Sequence, residues 1–135
     1  MSELVQISEA ALLALHSMVM IAQSHGGWVS VREIAEKTSS SENHLAKVMQ
    51  RLTRAGHVRS VRGPKGGFML AADPDKISLL DIYEAIEGKV THTSCPFKRD
   101  KCLFNFCIFY GLIGKTTDDL VRHLSSTTLK MMAEK

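Results

Sequence analysis

No run in this sequence approaches the roughly 18 consecutive apolar residues that a membrane span requires. The N-terminus opens on Glu3 and an amphipathic stretch instead of a basic patch followed by an apolar segment. The expectation is a cytoplasmic protein with no membrane partner. Also missing are a phosphate-binding glycine loop, a Ser/His/Asp set near a nucleophile elbow, and paired carboxylates placed for acid-base work, so nothing points to an enzyme. There is no internal repeat and no low-complexity tract. Charge of one sign is in short supply too: Lys and Arg total 17 against 14 Asp and Glu, an excess too small to name a partner. Three cysteines are too few, and odd in number, for a disulfide-stapled mini-fold in a reducing cytosol.

What is present is unevenly placed. The chain has 135 residues and is 44% hydrophobic, enough for one domain with a real core plus an appended element. Between Ser41 and Leu70 the cations Lys47, Arg51, Arg54, Arg59, Arg62 and Lys65 face Glu42 alone. All three cysteines fall between Cys95 and Cys107, which points to a metal or to redox chemistry.

Apolar residues at helical spacing (Leu12, Leu13, Leu15, Val19, Met20, Ala22) predict a first helix from Ser8 to Ser24, stopped by His25-Gly26-Gly27. Ser30-Val31-Arg32-Glu33 has the form of a capping box and predicts a short helix from about Val31 to Lys37. Ser39 to Glu42 repeats the device, with Ser39 as cap, and starts a third helix that runs to about Arg54. In that helix Leu45, Val48 and Leu52 share one face while Asn43, His44, Lys47, Gln50, Arg51 and Arg54 point elsewhere. Segments 57–62 and 68–71 flank Gly63-Pro64-Lys65-Gly66-Gly67, the pattern of a hairpin with a basic tip. Trp28 reads as a packing residue beside the hinge, and the methionines as core or surface filler. After the turn Asp73-Pro74-Asp75, Ser78-Leu79-Leu80-Asp81 caps a fourth helix that carries Ile82, Ala85 and Ile86 inward and ends at Gly88. The cysteine segment reads as a loop. A last long helix is predicted from about Asn105 to Leu124, with Phe106, Tyr110, Ile113, Thr117, Leu120 and Leu124 forming a seam for a second chain or for its own domain.

Helix, short helix, helix, hairpin is the order of a winged helix-turn-helix, a mainly α fold with a small β-wing. Lys47 and Arg51, one turn apart on a helix presented by a capped turn, suit the base edges of the major groove. Ser40, Ser41, Asn43 and His44 lie at that helix's N-terminal end, where free amides favour phosphate. Glycines at the tip free the backbone to approach a duplex, leaving Arg62 and Lys65 for the minor groove or for phosphates.

The stretch Leu52-Thr53-Arg54-Ala55-Gly56-His57-Val58-Arg59-Ser60-Val61-Arg62-Gly63-Pro64-Lys65-Gly66-Gly67-Phe68 closely resembles the wing signature of the IscR/NsrR/RirA family of bacterial regulators. Val31-Arg32-Glu33-Ile34-Ala35, Ile77-Ser78-Leu79-Leu80-Asp81-Ile82 and Glu87-Gly88 resemble the same family. The resemblance implies a homodimer with crossing C-terminal helices, its two winged heads reading double-stranded DNA at a pseudo-palindromic operator with half-sites roughly 34 Å apart. It implies DNA contacts at Ser40, Ser41 and His44 and at Arg62, Pro64 and Lys65 of the wing. Spacing and charge add Lys47, Arg51 and Arg59. The expected organisation is a DNA-binding domain over 1–88, a cysteine-containing sensor loop over 89–104, and a dimerisation helix with a C-terminal tail over 105–135.

Cys95, Cys102 and Cys107 are separated by six and four residues, neither a zinc CxxC pair nor a ferredoxin run. Neighbouring Lys98, Arg99 and Lys101 are expected to lower thiol pKa values, and soft thiolates select iron-sulfur clusters, copper(I) or zinc. Many members of the resembled family hold a cluster at three such cysteines, with five residues in each gap. The resemblance therefore implies an iron-sulfur cluster, 2Fe-2S ahead of 4Fe-4S. Where some members supply a histidine after the last cysteine this chain has Tyr110, and where others supply an acidic residue from the first helix it has Leu12. His16, one turn beyond Leu12, and His92 are the candidate fourth ligands, with solvent or a small thiol as the alternative. His16 as a buried core histidine is the competing reading. Two other functions stay open: a cluster-free regulator with redox-reactive thiols, and an iron-sulfur carrier or assembly protein with an incidental basic face.

Overall fold

The computed structural model describes residues 2–135 apart from 92–94, 98 and 100. Its first helix, α1 (Glu9–Ala22), starts where the Ser8 hydroxyl accepts the Ala11 N–H at 3.1 Å. The Ser8 hydroxyl also donates to the Glu87 carboxylate, tying this end to the fourth helix. The buried stripe of α1 is Ala11, Leu13, Ala14, Met18 and Ile21. Leu12 lies outside it, 40% exposed, and Leu15, Val19 and Met20 are half-buried. Of the large apolar residues picked out by spacing only Leu12 faces solvent: this helix is apolar nearly all round, so periodicity does not single out the buried stripe.

Helix α2 (Val31–Thr38) is capped by Ser30, whose hydroxyl accepts the Glu33 N–H at 3.1 Å. Glu33 pairs with Lys37 at 3.3 Å. Ser39 does not cap the next helix, contrary to expectation. It ends α2 in the left-handed region (φ 53°), with the Ser40 N–H reaching the Ala35 carbonyl at 3.0 Å. Ser41 is the cap of α3 (Glu42–Arg54) and accepts the His44 N–H at 3.1 Å. Three consecutive serines offer a cap at every position, and the room needed to turn between two packed helices makes the choice. Leu45, Val48, Met49 and Leu52 bury the inner face of α3 against α1 and the helix Leu79–Glu87.

Strands β1 (Val58–Val61) and β2 (Gly67–Leu70) pair antiparallel, Val58 opposite Leu70 and Val61 opposite Gly67. Val29 and Phe68 exchange backbone hydrogen bonds of 2.9 and 2.8 Å, which adds a single extended residue to the free side of β2. A single turn of 3-10 helix (Pro74–Lys76) follows. It leads to α4 (Leu79–Glu87), where Ser78 and Asp81 close a complete capping box at 3.0 and 2.9 Å and Gly88 (φ 82°) stops the helix.

The last long helix, α5 (Leu112–Ser126), begins seven residues later than its periodicity suggests. Phe106 and Tyr110 belong to the preceding loop, which closes with successive positive φ at Tyr110 (51°) and Gly111 (75°). That pair breaks any helix running in from Asn105. No residue of α5 is buried. Its end returns to the domain: the Leu79 N–H bonds the Thr127 carbonyl and the Leu129 N–H bonds the Ile77 carbonyl, both at 2.9 Å. Helix α6 (Leu129–Ala133) then packs on α1 with Leu129 fully enclosed. The stretch expected to be a tail completes the core.

Candidate DNA interface and thiol cavity

The candidate reading face is built from the start of α3 and the wing. Lys47 and Arg54 are exposed on α3 and His44 is half-buried at its first turn. The Ser41 hydroxyl is occupied in capping, and that of Ser40 lies 2.8 Å from the Thr38 hydroxyl. Arg51 is placed differently from its neighbours, because its guanidinium donates to the Ile86 carbonyl at the end of α4. It braces two helices. On the wing, Arg59, Arg62, Pro64 and Lys65 are all solvent-facing. A shallow groove joins the wing to the start of α2 and places Arg32 near Arg62, a neighbour that charge counting along the chain does not find.

Two of the wing glycines, Gly66 and Gly67, make room for the chain's own backbone. A Cβ on Gly67 would stand 2.3 Å from the Val29 carbonyl oxygen, and one on Gly66 would stand 2.3 Å from that of Val61. The space they leave is filled by the chain's own backbone. Only Gly63, at φ 118°, is required by conformation. Gly67→Ala should therefore cost about 1–3 kcal/mol and open the Val29–Phe68 bridge, seen as faster amide exchange at those two residues.

The tip is held from outside the hairpin as well: the Trp28 indole N–H donates to the Lys65 carbonyl at 2.6 Å. Trp28 is thus a wing contact as well as a hinge neighbour. The sequence signal is a lone tryptophan directly after two glycines and before a capped helix.

Cys95, Cys102 and Cys107, which lie between α4 and α5, border one cavity of about 400 Å³ whose lining includes Phe97, Phe104, Ile108, Arg99 and Lys101. Phe104 and Phe106 stack with centroids 5.5 Å apart, and the Arg99 guanidinium sits 5.2 Å from the centre of the Phe97 ring. Cys95 is half-buried and the other two are exposed. The Cys102 thiol donates to the Phe106 carbonyl at 3.6 Å. Backbone N–H groups of Gly111 and Phe109, and more weakly Tyr110, hold the Cys107 thiol below its ordinary pKa against a smaller opposing effect of desolvation. Among the described residues no three Cys, His, Asp or Glu side chains converge on one point.

His16 is exposed, so the buried reading of it is corrected. Its Nδ1 lies 2.7 Å from the Leu12 carbonyl, and it does not line the thiol cavity of its own chain. His92 lies outside the described residues. No helix among the described residues is long and apolar enough to cross a membrane.

A capped recognition helix beside a basic, glycine-built wing defines a DNA-binding transcriptional regulator of the winged helix-turn-helix class. The family described as Rrf2, iron-dependent transcriptional regulator, matches residues 7–135, and the chain belongs to it. It is 35% identical over 134 residues to the HTH-type transcriptional regulator CymR of Bacillus subtilis, covering 95% of this chain and 89% of CymR. The structure of CymR, titled the global cysteine regulator of B. subtilis, superposes with a TM-score of 0.76 over 97% of this chain and 98% of that one, at 31% identity. T. potens IscR superposes with a TM-score of 0.74 at 30% identity, covering 96% and 87%.

Proposed function

We propose that two copies of this chain read a pseudo-palindromic operator and that the state of the three cysteines sets operator affinity. The observation that carries the second half is the shared cavity: thiols with six and four residues between them in sequence border one apolar-walled space. Three thiolates suit an iron-sulfur cluster, and N–H groups on the Cys107 sulfur favour its ionised, ligating form. Cys95, Cys102 and Cys107 are the residues that would hold a 2Fe-2S group, their sulfurs drawn together from around the cavity only as it binds. Bound there, a cluster supplies links between the loop and its fourth ligand that depend on iron, sulfide and oxidants. For that ligand, His16 of a second copy is supported by its exposure and by the Leu12 carbonyl on its Nδ1, with His92, solvent or a small thiol as the alternatives.

Pairing of two chains is supported by α5. A 15-residue helix with no buried residue, carrying Leu112 and Leu120 at 58% and 40% exposure, is marginal alone. A second α5 would cover it. Within each copy, Ser41, His44 and Lys47 would meet the duplex from α3, and Arg59, Arg62, Pro64 and Lys65 from the wing, while Arg51 supports α3 from behind.

Protein purified anaerobically should absorb in the visible and contain iron and sulfide at about two each per chain. Cys102→Ala should lose both while its far-ultraviolet circular dichroism stays native, and its operator affinity should differ from that of loaded protein in a gel-shift titration. Equal affinity would end the sensor reading and leave the DNA-binding one. A colourless, iron-free and sulfide-free protein would favour a second reading, in which the exposed Cys107 thiolate acts as a redox-reactive nucleophile.

A further inference from the structure

Trp28 is the only tryptophan of the chain, and it stands 51% exposed. A large aromatic kept only for packing would bury more of itself. Its ring borders a shallow groove with Met20 of α1, Gln23 just beyond that helix, and Glu33 and Lys37 of α2, while its N–H reaches across to the Lys65 carbonyl at 2.6 Å. The next residue, Val29, is hydrogen-bonded in both directions to Phe68 of β2. The segment between α1 and α2 therefore holds the wing twice, once at its strand and once at its tip. Within the tip, the turn is closed by the Gly66 N–H on the Gly63 carbonyl at 2.9 Å, and the side chains of Arg62, Pro64 and Lys65 project into solvent.

From this geometry we infer that Trp28 is a positioning residue for DNA recognition: its indole N–H fixes the backbone of the wing tip, and so fixes how Arg62 and Lys65 meet a duplex. The inference rests on the wing being a DNA contact, as proposed above. An N–H already given to a carbonyl is not free for a phosphate, so Trp28 acts through the wing and not by touching the duplex. Holding the tip before binding removes the entropy that a free hairpin would lose on docking.

The test uses full-length protein and two probes: a duplex selected by the native protein from a random-sequence library, and a scrambled duplex. Trp28→Phe keeps a ring and removes the donor. It should bind the selected duplex about three- to tenfold more weakly, the equivalent of one hydrogen bond, with little change on the scrambled duplex or in Tm. Replacing Trp28 by 3-benzothienylalanine, which exchanges the N–H for sulfur at the same shape, should reproduce the loss. In an Arg62→Ala/Lys65→Ala background, Trp28→Phe should have almost no further effect. Native affinity in Trp28→Phe, or an undiminished loss in that background, would overturn the inference while the wing reading stands. Native binding by Arg62→Ala/Lys65→Ala itself would remove the wing reading and this inference with it.

Discussion

Leu129→Ala is expected to lower the unfolding free energy by about 2–5 kcal/mol, read as a shift of the urea midpoint with an unchanged slope. Leu129 is fully enclosed, in a cluster that includes Met18, Ile21 and Ile82. Its backbone is pinned on both sides, since its N–H bonds the Ile77 carbonyl and α6 is capped by Thr128, whose hydroxyl accepts the Met131 N–H at 3.2 Å. A site so constrained collapses little when the side chain is cut back, which places the cost toward the upper part of that range. Met131, 49% exposed on the same short helix, provides the control: Met131→Ala should change stability by less than about 0.5 kcal/mol. Similar costs at both positions would mean that α6 does not seat in the core as described.

Arg62→Ala/Lys65→Ala should weaken binding to the selected duplex by about tenfold or more, and should reduce the slope of log affinity against log salt by nearly two, since each neutralised phosphate accounts for about 0.9 of that slope. If both side chains grip phosphates, the weakening will be similar on selected and scrambled duplexes. If they enter the minor groove and sense its width, the selected duplex will suffer more. Arg51→Ala makes a useful contrast. Its guanidinium serves the Ile86 carbonyl, so its removal should appear mainly in thermal stability and leave the salt slope nearly unchanged. A salt slope reduced by about one would return Arg51 to the set of phosphate-binding residues.

The winged head is legible because its signals are local. Caps at Ser30 and Ser78, stops at Gly26 and Gly88, and the glycines of the wing act within a few residues, and the elements α2, α3, β1, β2 and α4 lie within a residue or two of their expected bounds. Failures come where a choice depends on distant atoms. The inward face of α1 is decided by what packs on it, and the cap of α3 by how tightly two helices turn. The start of α5 is set by the reversal at Tyr110 and Gly111, and the seating of Leu129 by a strand-like bridge to residues about fifty positions earlier in the chain. Individual thiols are evident from composition, but their common cavity depends on the path of the loop. Arg51 shows the limit of charge counting: an arginine on the open side of a recognition helix, by spacing, is bound to a neighbouring carbonyl.

The bridge between Ile77–Leu79 and Thr127–Leu129 has a further consequence. It brings the end of α5 back to the start of α4 and so joins α6 to the winged head, with α5 lying along α4 and Leu124 against the core. The cysteine segment and α5 form an excursion that leaves from one end of α4 and returns at the other. Such an insert can change length, ligand set or chemistry at a cost that grows only with the logarithm of its length. The head is thus a socket, and the cysteine segment with α5 a cassette whose exchange leaves α2, α3 and the wing in place.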